Sequence, residues 1–265
     1  MNVFFLGGGN MAAAIAHGLV RQGGYRVHIA NRGAEKRERL AKELGVAVSE
    51  ALPELSENDV LVLAVKPQDM EAACRNVKTG GALVLSVAAG LSIDTLSRYL
   101  GGTRRIVRTM PNLPGQIGLG ITGMYAAGET GEADKQTADT IMRAVGQTVW
   151  LNDEAQMHAV TGISGSGSGY VFYLLDALQQ AALAQGFDAE QARSLTLATF
   201  KGAVMLAEQS GAPFADLQQS VMSKGGTTVE ALEVFRQCAV AESIGQGVAA
   251  CVARSQDISA QFEAV

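Results

Sequence analysis

Cysteine is scarce in this sequence. Cys74, Cys238 and Cys251 are the only three in 265 residues, too few and too scattered for a disulfide framework or a close-spaced metal motif. They fit a reducing compartment, and the cytoplasm is the expected one. Histidine is also sparse: His17, His28 and His158 stand far apart with no helical or hairpin spacing for a metal, and none is expected. An excess of positive charge is missing. With 21 Lys and Arg against 26 Asp and Glu the net charge is −5, whereas nucleic-acid binding relies on clustered basic residues, so no nucleic-acid partner is expected. Long apolar runs are missing too. The stretch YVFYLLDALQQAALA from Tyr170 is broken by Asp176, Gln179 and Gln180 and falls short of the ~20 apolar residues a membrane span needs. No Lys or Arg precedes Arg21, so no secretory pattern is expected. Neither a G-x-S-x-G nucleophile elbow, despite the run SGSGSG, nor a G-x-x-x-x-G-K-[ST] phosphate loop occurs.

Apolar residues make up 48% of a chain longer than the ~150 residues of one average domain, so a large core and two domains are expected. The first part alternates short apolar runs with amphipathic stretches. NVFFL (2–6), YRVHIA (25–30), DVLVLAV (59–65), ALVLSVAA (82–89), RRIVRTM (104–110) and QTVWL (147–151) read as strands. Helices are expected from about Asn10, over AEKRERLAKEL up to Gly45, after Pro67, and over SIDTLSRYL (92–100). Apolar strands without alternation, separated by helices, imply a parallel sheet covered on both faces, the doubly wound α/β plan. After residue 151 strand signals stop, and helices are expected over 153–163, 166–185, 188–210, 213–223 and, with breaks, 227–263. The expected division is an α/β domain over 1–155 and a helical domain over 156–265. The helix from Ser168 to Ala184 is apolar on nearly every face and should be enclosed all round, which a second copy of the chain can provide.

Gly7, Gly8 and Gly9 stand where the first strand gives way to a helix. With Asn10, Met11 and Ala12 they fit G-x-G-x-x-A: a tight turn, close backbone approach to a pyrophosphate, and close helix–strand packing. The helix N-terminus then offers free N–H groups to phosphates. The pattern is expected to form the cofactor site of a Rossmann-type domain, the alternative being a merely tight turn. An NAD site carries an acid ~20 residues on, at the end of the second strand. Here Asn31 and Arg32 occupy that place, with Lys36, Arg37 and Arg39 nearby, so NADPH (NADP+) is favoured, with NADH as a weaker substitute.

The logic recurs in SVMSKGGTTVEALEVF (220–235). Gly225 and Gly226 precede Thr227, and Thr227-x-x-Glu230 reads as a capping box opening an apolar-periodic helix, whose first N–H groups and hydroxyls suit a small carboxylate.

The segments GGGNMA, AVKPQ (64–68), SVAAG (86–90), RTMPNLP (108–114), GISGSGSGY (162–170) and SKGGTT (223–228) occur in this order and together closely resemble pyrroline-5-carboxylate reductases, the last enzymes of proline biosynthesis. The resemblance spans the chain, with one departure: Lys224 stands where the family usually has proline. It implies NADPH-dependent reduction of the C=N bond of 1-pyrroline-5-carboxylate to L-proline. It implies that Ala64, Val65, Lys66 and Pro67, together with Ala88, Ala89, Gly90 and Asn112, border the cofactor's nicotinamide half. Met110, Ser223, Gly225, Gly226, Thr227 and Thr228 are then the substrate residues. The N–H groups of Gly226 and Thr227 would hold the carboxylate, and the Thr228 hydroxyl would bond the ring nitrogen as the catalytic group. Interleaved helices 168–184 and 188–210 would form a homodimer, and dimers could assemble into larger rings. The alternatives are a reductase of another small imine or oxo acid on the same plan, and an NADP(H)-sensing regulatory protein without turnover.

Overall fold

In a computed structural model, which describes residues 1–263, the apolar runs of the first part become strands. These are β1 (Asn2–Leu6), β2 (Arg26–Ala30), β3 (Ala47–Ser49), β4 (Val60–Leu63), β5 (Leu83–Ser86), β6 (Ile106–Met110), β7 (Gly120–Ala126) and β8 (Gly146–Trp150). They form one sheet in the order β3-β2-β1-β4-β5-β6-β7-β8. All residues of β4 and β5 are buried, as unalternating central strands must be. Alternate residues feed two cores. Val3, Phe5, Val60, Val62, Leu83 and Leu85 face one cluster, while Leu61, Leu63, Val84 and Ile106 face the other.

Helices α1 (Asn10–Gln22), α2 (Ala34–Leu44), α3 (Pro67–Cys74), α4 (Ile93–Tyr99) and α5 (Glu132–Met142) alternate with these strands. In α1 the buried residues are Ala12, Ile15, Ala16 and Leu19, the i, i+3, i+4, i+7 stripe of a helix lying on a sheet. Cys74 is enclosed in the second core, and burial pushes its thiol up to about 12, which leaves it unreactive.

The sheet departs from the all-parallel expectation at one seam. β6 and β7 pair antiparallel, Thr109 opposite Met124, because only the nine residues 111–119, a short 3-10 turn (Leu113–Ile117) among them, join them, too few for a parallel crossover. β7 was not apparent from the sequence, since GITGMYA has two glycines and no apolar run; β3 is only three residues long, and α5 is mostly polar.

Past β8 the chain is helical: α6 (Gln156–Val160) widens into a π-helical segment (Thr161–Gly165), followed by α7 (Gly167–Ala184), α8 (Ala189–Ser210), α9 (Phe214–Ser220), α10 (Thr227–Gln237) and α11 (Val240–Glu263). Two compact units result, one made of Met1–Ser166 with the end of α11 from Ala250, the other of Gly167–Ala249. Within the second unit no residue of α7 is buried; Phe172 is 55% and Tyr173 76% exposed. The enclosure that its composition demands is therefore not supplied by its own chain. Among the described residues, no helix is long and apolar enough to cross a membrane.

Candidate active site

The strand order reverses between β1 and β4, and in open α/β sheets the crevice at such a switch point, outside the carboxyl ends of the strands, receives ligands. Gly7 ends β1 there with φ +100°, and a Cβ on it would lie 2.7 Å from the Ala64 carbonyl oxygen and 2.8 Å from Val65 Cγ1. Only glycine fits, which lets the loops after β1 and β4 touch. The Gly7 N–H is bonded to the Ala30 carbonyl. Gly9 caps α1 with no side-chain hydrogen bond, no acidic residue occupies the first turn, and the amides of Gly8, Gly9, Asn10 and Met11 have no partner among the described residues. Lys66 is exposed at the N-cap of α3, without a side-chain partner among the described residues.

Asn31 and Arg32 follow β2 directly, the Asn31 N–H reaching the Ser49 carbonyl at 2.9 Å. Arg32 is exposed and its guanidinium has no partner among the described residues. Among residues 31–34, directly after β2, none is a carboxylate.

The loops after β5 and β6 are tied together. Thr109 Oγ1 donates to the Ser86 carbonyl at 3.0 Å. Arg108, only 5% exposed on β6, donates through Nη1 to Glu154 Oε1 at 2.7 Å, and the same oxygen accepts the Ile93 N–H at 2.8 Å. One carboxylate thus fixes the end of the 87–92 loop, the strand leading to Met110, and the approach to α6. His158 lies beside this pair, its Nδ1 2.9 Å from Ser255 Oγ. Burial, assisted by the Arg108 charge, holds its pKa below the ordinary histidine value. Asn112 braces the next loop, its Oδ1 accepting the Ile121 N–H at 2.9 Å and its Nδ2 donating to the Ser164 carbonyl at 3.4 Å. Met110 is seated on Gly165, where a Cβ would lie 2.6 Å from its Cε. Both residues therefore rest on the π-helical segment, a widening often found at functional sites.

Residues 223–228 belong to the helical unit. Ser223 to Gly226 form a tight turn closed by the Gly226 N–H on the Ser223 carbonyl at 2.8 Å, with Gly225 third at φ +70°. Two expectations need correction here. Gly226, not Thr227, is the N-cap of α10, without a side-chain cap, so Thr227 and Glu230 form no capping box; the tight turn carries the chain into the helix one residue early. The capping box is instead at α8, between Asp188 and Gln191. The Gly226 amide is also already spent on the turn, so the donors without a partner at this helix start, among the described residues, are the amides of Thr227 and Thr228. The Thr228 hydroxyl has no partner among the described residues.

These features fit a dinucleotide phosphate: a cradle at Gly7 that a side chain would fill, an α1 start free of capping groups, and a basic residue without an acid after β2. Comparison with known proteins agrees. Residues 2–90 match the family described as NADP oxidoreductase, coenzyme F420-dependent, and residues 154–258 match pyrroline-5-carboxylate reductase dimerisation. The pyrroline-5-carboxylate reductase of Haemophilus influenzae is 39% identical over 267 residues, covering 98% of each chain. The chain belongs to the pyrroline-5-carboxylate reductase family. A solved structure of the Coxiella burnetii pyrroline-5-carboxylate reductase superimposes with a TM-score of 0.86 at 34% identity, covering 97% of this chain and 98% of that one. The Plasmodium falciparum pyrroline carboxylate reductase, solved with NADP bound, gives a TM-score of 0.84 at 25% identity, over 97% of each chain.

For a pyrroline-5-carboxylate reductase the place of Lys224 now has a physical meaning. It is the second residue of a turn whose third residue has positive φ, the position where proline pre-sets the backbone. Lysine makes the same turn without that pre-organisation. The structure gathers Gly7–Gly9, Asn31, Arg32, Ala64–Pro67, Ala88–Gly90, Met110 and Asn112 at the carboxyl ends of β1, β2, β4, β5 and β6. Sequence reasoning missed Arg108 and Glu154. The signal was there for one of them: an arginine inside the apolar strand IVRTM requires a partner, although nothing local names Glu154.

Proposed function

We propose that this chain reduces 1-pyrroline-5-carboxylate to L-proline with NADPH, through two glycine-led helix starts that bind the anions of cofactor and substrate. The observation that carries the reading is that α1, behind the Gly7 turn at the sheet's switch point, and α10, behind the Ser223–Gly226 turn, begin with amides that have no partner among the described residues. Gly7, Gly8, Gly9, Asn10 and Met11 would hold the pyrophosphate, and Asn31 and Arg32 the adenosine 2′-phosphate. Ala64, Val65, Lys66, Pro67, Ala88, Ala89, Gly90 and Asn112 would border the nicotinamide end. NADPH supplies a hydride from its nicotinamide ring. The amides of Thr227 and Thr228 hold the substrate carboxylate, with Ser223, Gly225 and Gly226 shaping the turn and Met110 lining the substrate side. The Thr228 hydroxyl donates to the ring nitrogen and polarises the imine.

An assay of NADPH oxidation by absorbance with pyrroline-5-carboxylate, beside a panel of other imines and oxo acids, tests the activity. Turnover strongest with pyrroline-5-carboxylate is expected; none with it, or faster turnover of another substrate, overturns the assignment. Arg32→Ala should weaken NADPH binding by ~1.5–3 kcal/mol, the range for a hydrogen bond to a charged group, and affect NADH far less. Equal losses for both cofactors would exclude the 2′-phosphate contact.

The exposed faces of α7 and α8 support a homodimer whose partner covers Phe172, Tyr173, Leu195 and Val204, in keeping with the dimerisation match over 154–258. A functional division at 155/156 places this whole match in one domain, save its first two residues. Rings of dimers and a cytoplasmic location complete the reading. Sedimentation at assay concentration should show a dimer or larger; a stable, active monomer would refute it. An interface above a typical ~1,600 Å² is expected of an obligate dimer.

A further inference from the structure

Arg37 sits in the second turn of α2, and its side chain runs back toward the helix start, as long helical side chains do. There Nη1 donates to two successive carbonyl oxygens, Asn31 at 2.7 Å and Arg32 at 2.8 Å. Its two N–H bonds thus clamp the turn between β2 and α2, which no side-chain cap supports. The other terminal nitrogen, Nη2, lies 4.0 Å from Glu50 Oε2, just past β3. The Arg37 side chain is only 20% exposed, while that of Glu50 is 76% exposed. Arg32, whose own backbone oxygen is held, leaves its guanidinium free.

We propose that Arg37 is a positioning residue for the adenosine 2′-phosphate and thereby sets the preference for NADPH over NADH. The inference rests on the reading of Arg32 given above. By holding both carbonyls, Arg37 fixes the backbone from which Arg32 reaches out. Its charge, 4.0 Å from Glu50 Oε2, also offsets a carboxylate that would repel the phosphate. A lysine could supply the charge, but not the planar guanidinium donating along two fixed directions.

The test is calorimetric binding of NADP+ and of NAD+ to the full-length, cofactor-free protein and to Arg37→Leu, Arg37→Lys and Arg32→Ala, with melting temperatures confirming that each variant is folded. Arg37→Leu should weaken NADP+ about tenfold, the size of one to two net hydrogen bonds, and NAD+ less than about twofold. Arg37→Lys should also lose most of the preference. Wild-type NADP+ affinity in Arg37→Lys beside a loss in Arg37→Leu would make Arg37 a mere charge and overturn the positioning role. Equal losses for both cofactors in Arg37→Leu would overturn it as well. If Arg32→Ala alone loses NADP+ selectively, the proposal fails while the reading of Arg32 stands. If Arg32→Ala binds NADP+ as tightly as wild type, that reading fails and the proposal falls with it.

Discussion

Replacing Thr228 with alanine should lower turnover about 10²-fold, the size of a typical general-acid contribution, and leave NADPH affinity almost unchanged. Thr228 is the second residue of α10, behind a glycine N-cap, and its hydroxyl is unpartnered among the described residues. Among residues 223–228, where the substrate is proposed to bind, there is no histidine or carboxylate. On the proposed reading, hydrogen bonding from Thr228 at the ring nitrogen is what makes the C=N carbon electrophilic. Charge at nitrogen is what changes during reduction, so a donor aimed there stabilises the transition state more than the bound substrate. The loss should accordingly appear in kcat rather than in cofactor binding, and Thr228→Ser should recover most of it. Normal turnover in Thr228→Ala would reduce this segment to a plain helix start.

The second large effect is on stability. Glu154→Ala should destabilise the protein by ~3–5 kcal/mol, because it leaves the guanidinium of Arg108 buried without a counter-charge. Against a typical total of ~5–15 kcal/mol that is a large fraction. Glu154→Gln, which keeps an acceptor for both Arg108 and the Ile93 amide, should lose less. Urea denaturation at fixed protein concentration measures both; an unchanged midpoint in Glu154→Ala would show that the buried pair does not brace the loops after β5 and β6.

Much of this was legible in the sequence, for identifiable reasons. The central strands are apolar on both faces and the glycine run marks the switch point, so β1, β4 and the start of α1 follow from composition alone. The long helices past residue 151 follow from their length and from the end of strand signals. What stayed hidden depends on contacts distant in sequence or on fine backbone geometry. β7 draws its partners from β6 and β8, so GITGMYA carries no strand signature of its own. The shift of the α10 N-cap from Thr227 to Gly226 turns on one hydrogen bond, from Gly226 to Ser223, which the S-K-G-G-T-T spelling leaves open. Glu154 reaches Arg108 from 46 residues away. Arg37 reads as part of a solvated helix face until its side chain is seen folded back on the turn.

The central claim is that two glycine-led helix starts serve one imine reduction. A crystal structure of the homodimer with NADP+ and proline tests it most directly. The account predicts the pyrophosphate on the amides of Gly8 to Met11, the proline carboxylate on the amides of Thr227 and Thr228, and the ring nitrogen within hydrogen-bond distance of Thr228 Oγ1. Proline ordered elsewhere, with residues 225–228 free of ligand, would contradict it.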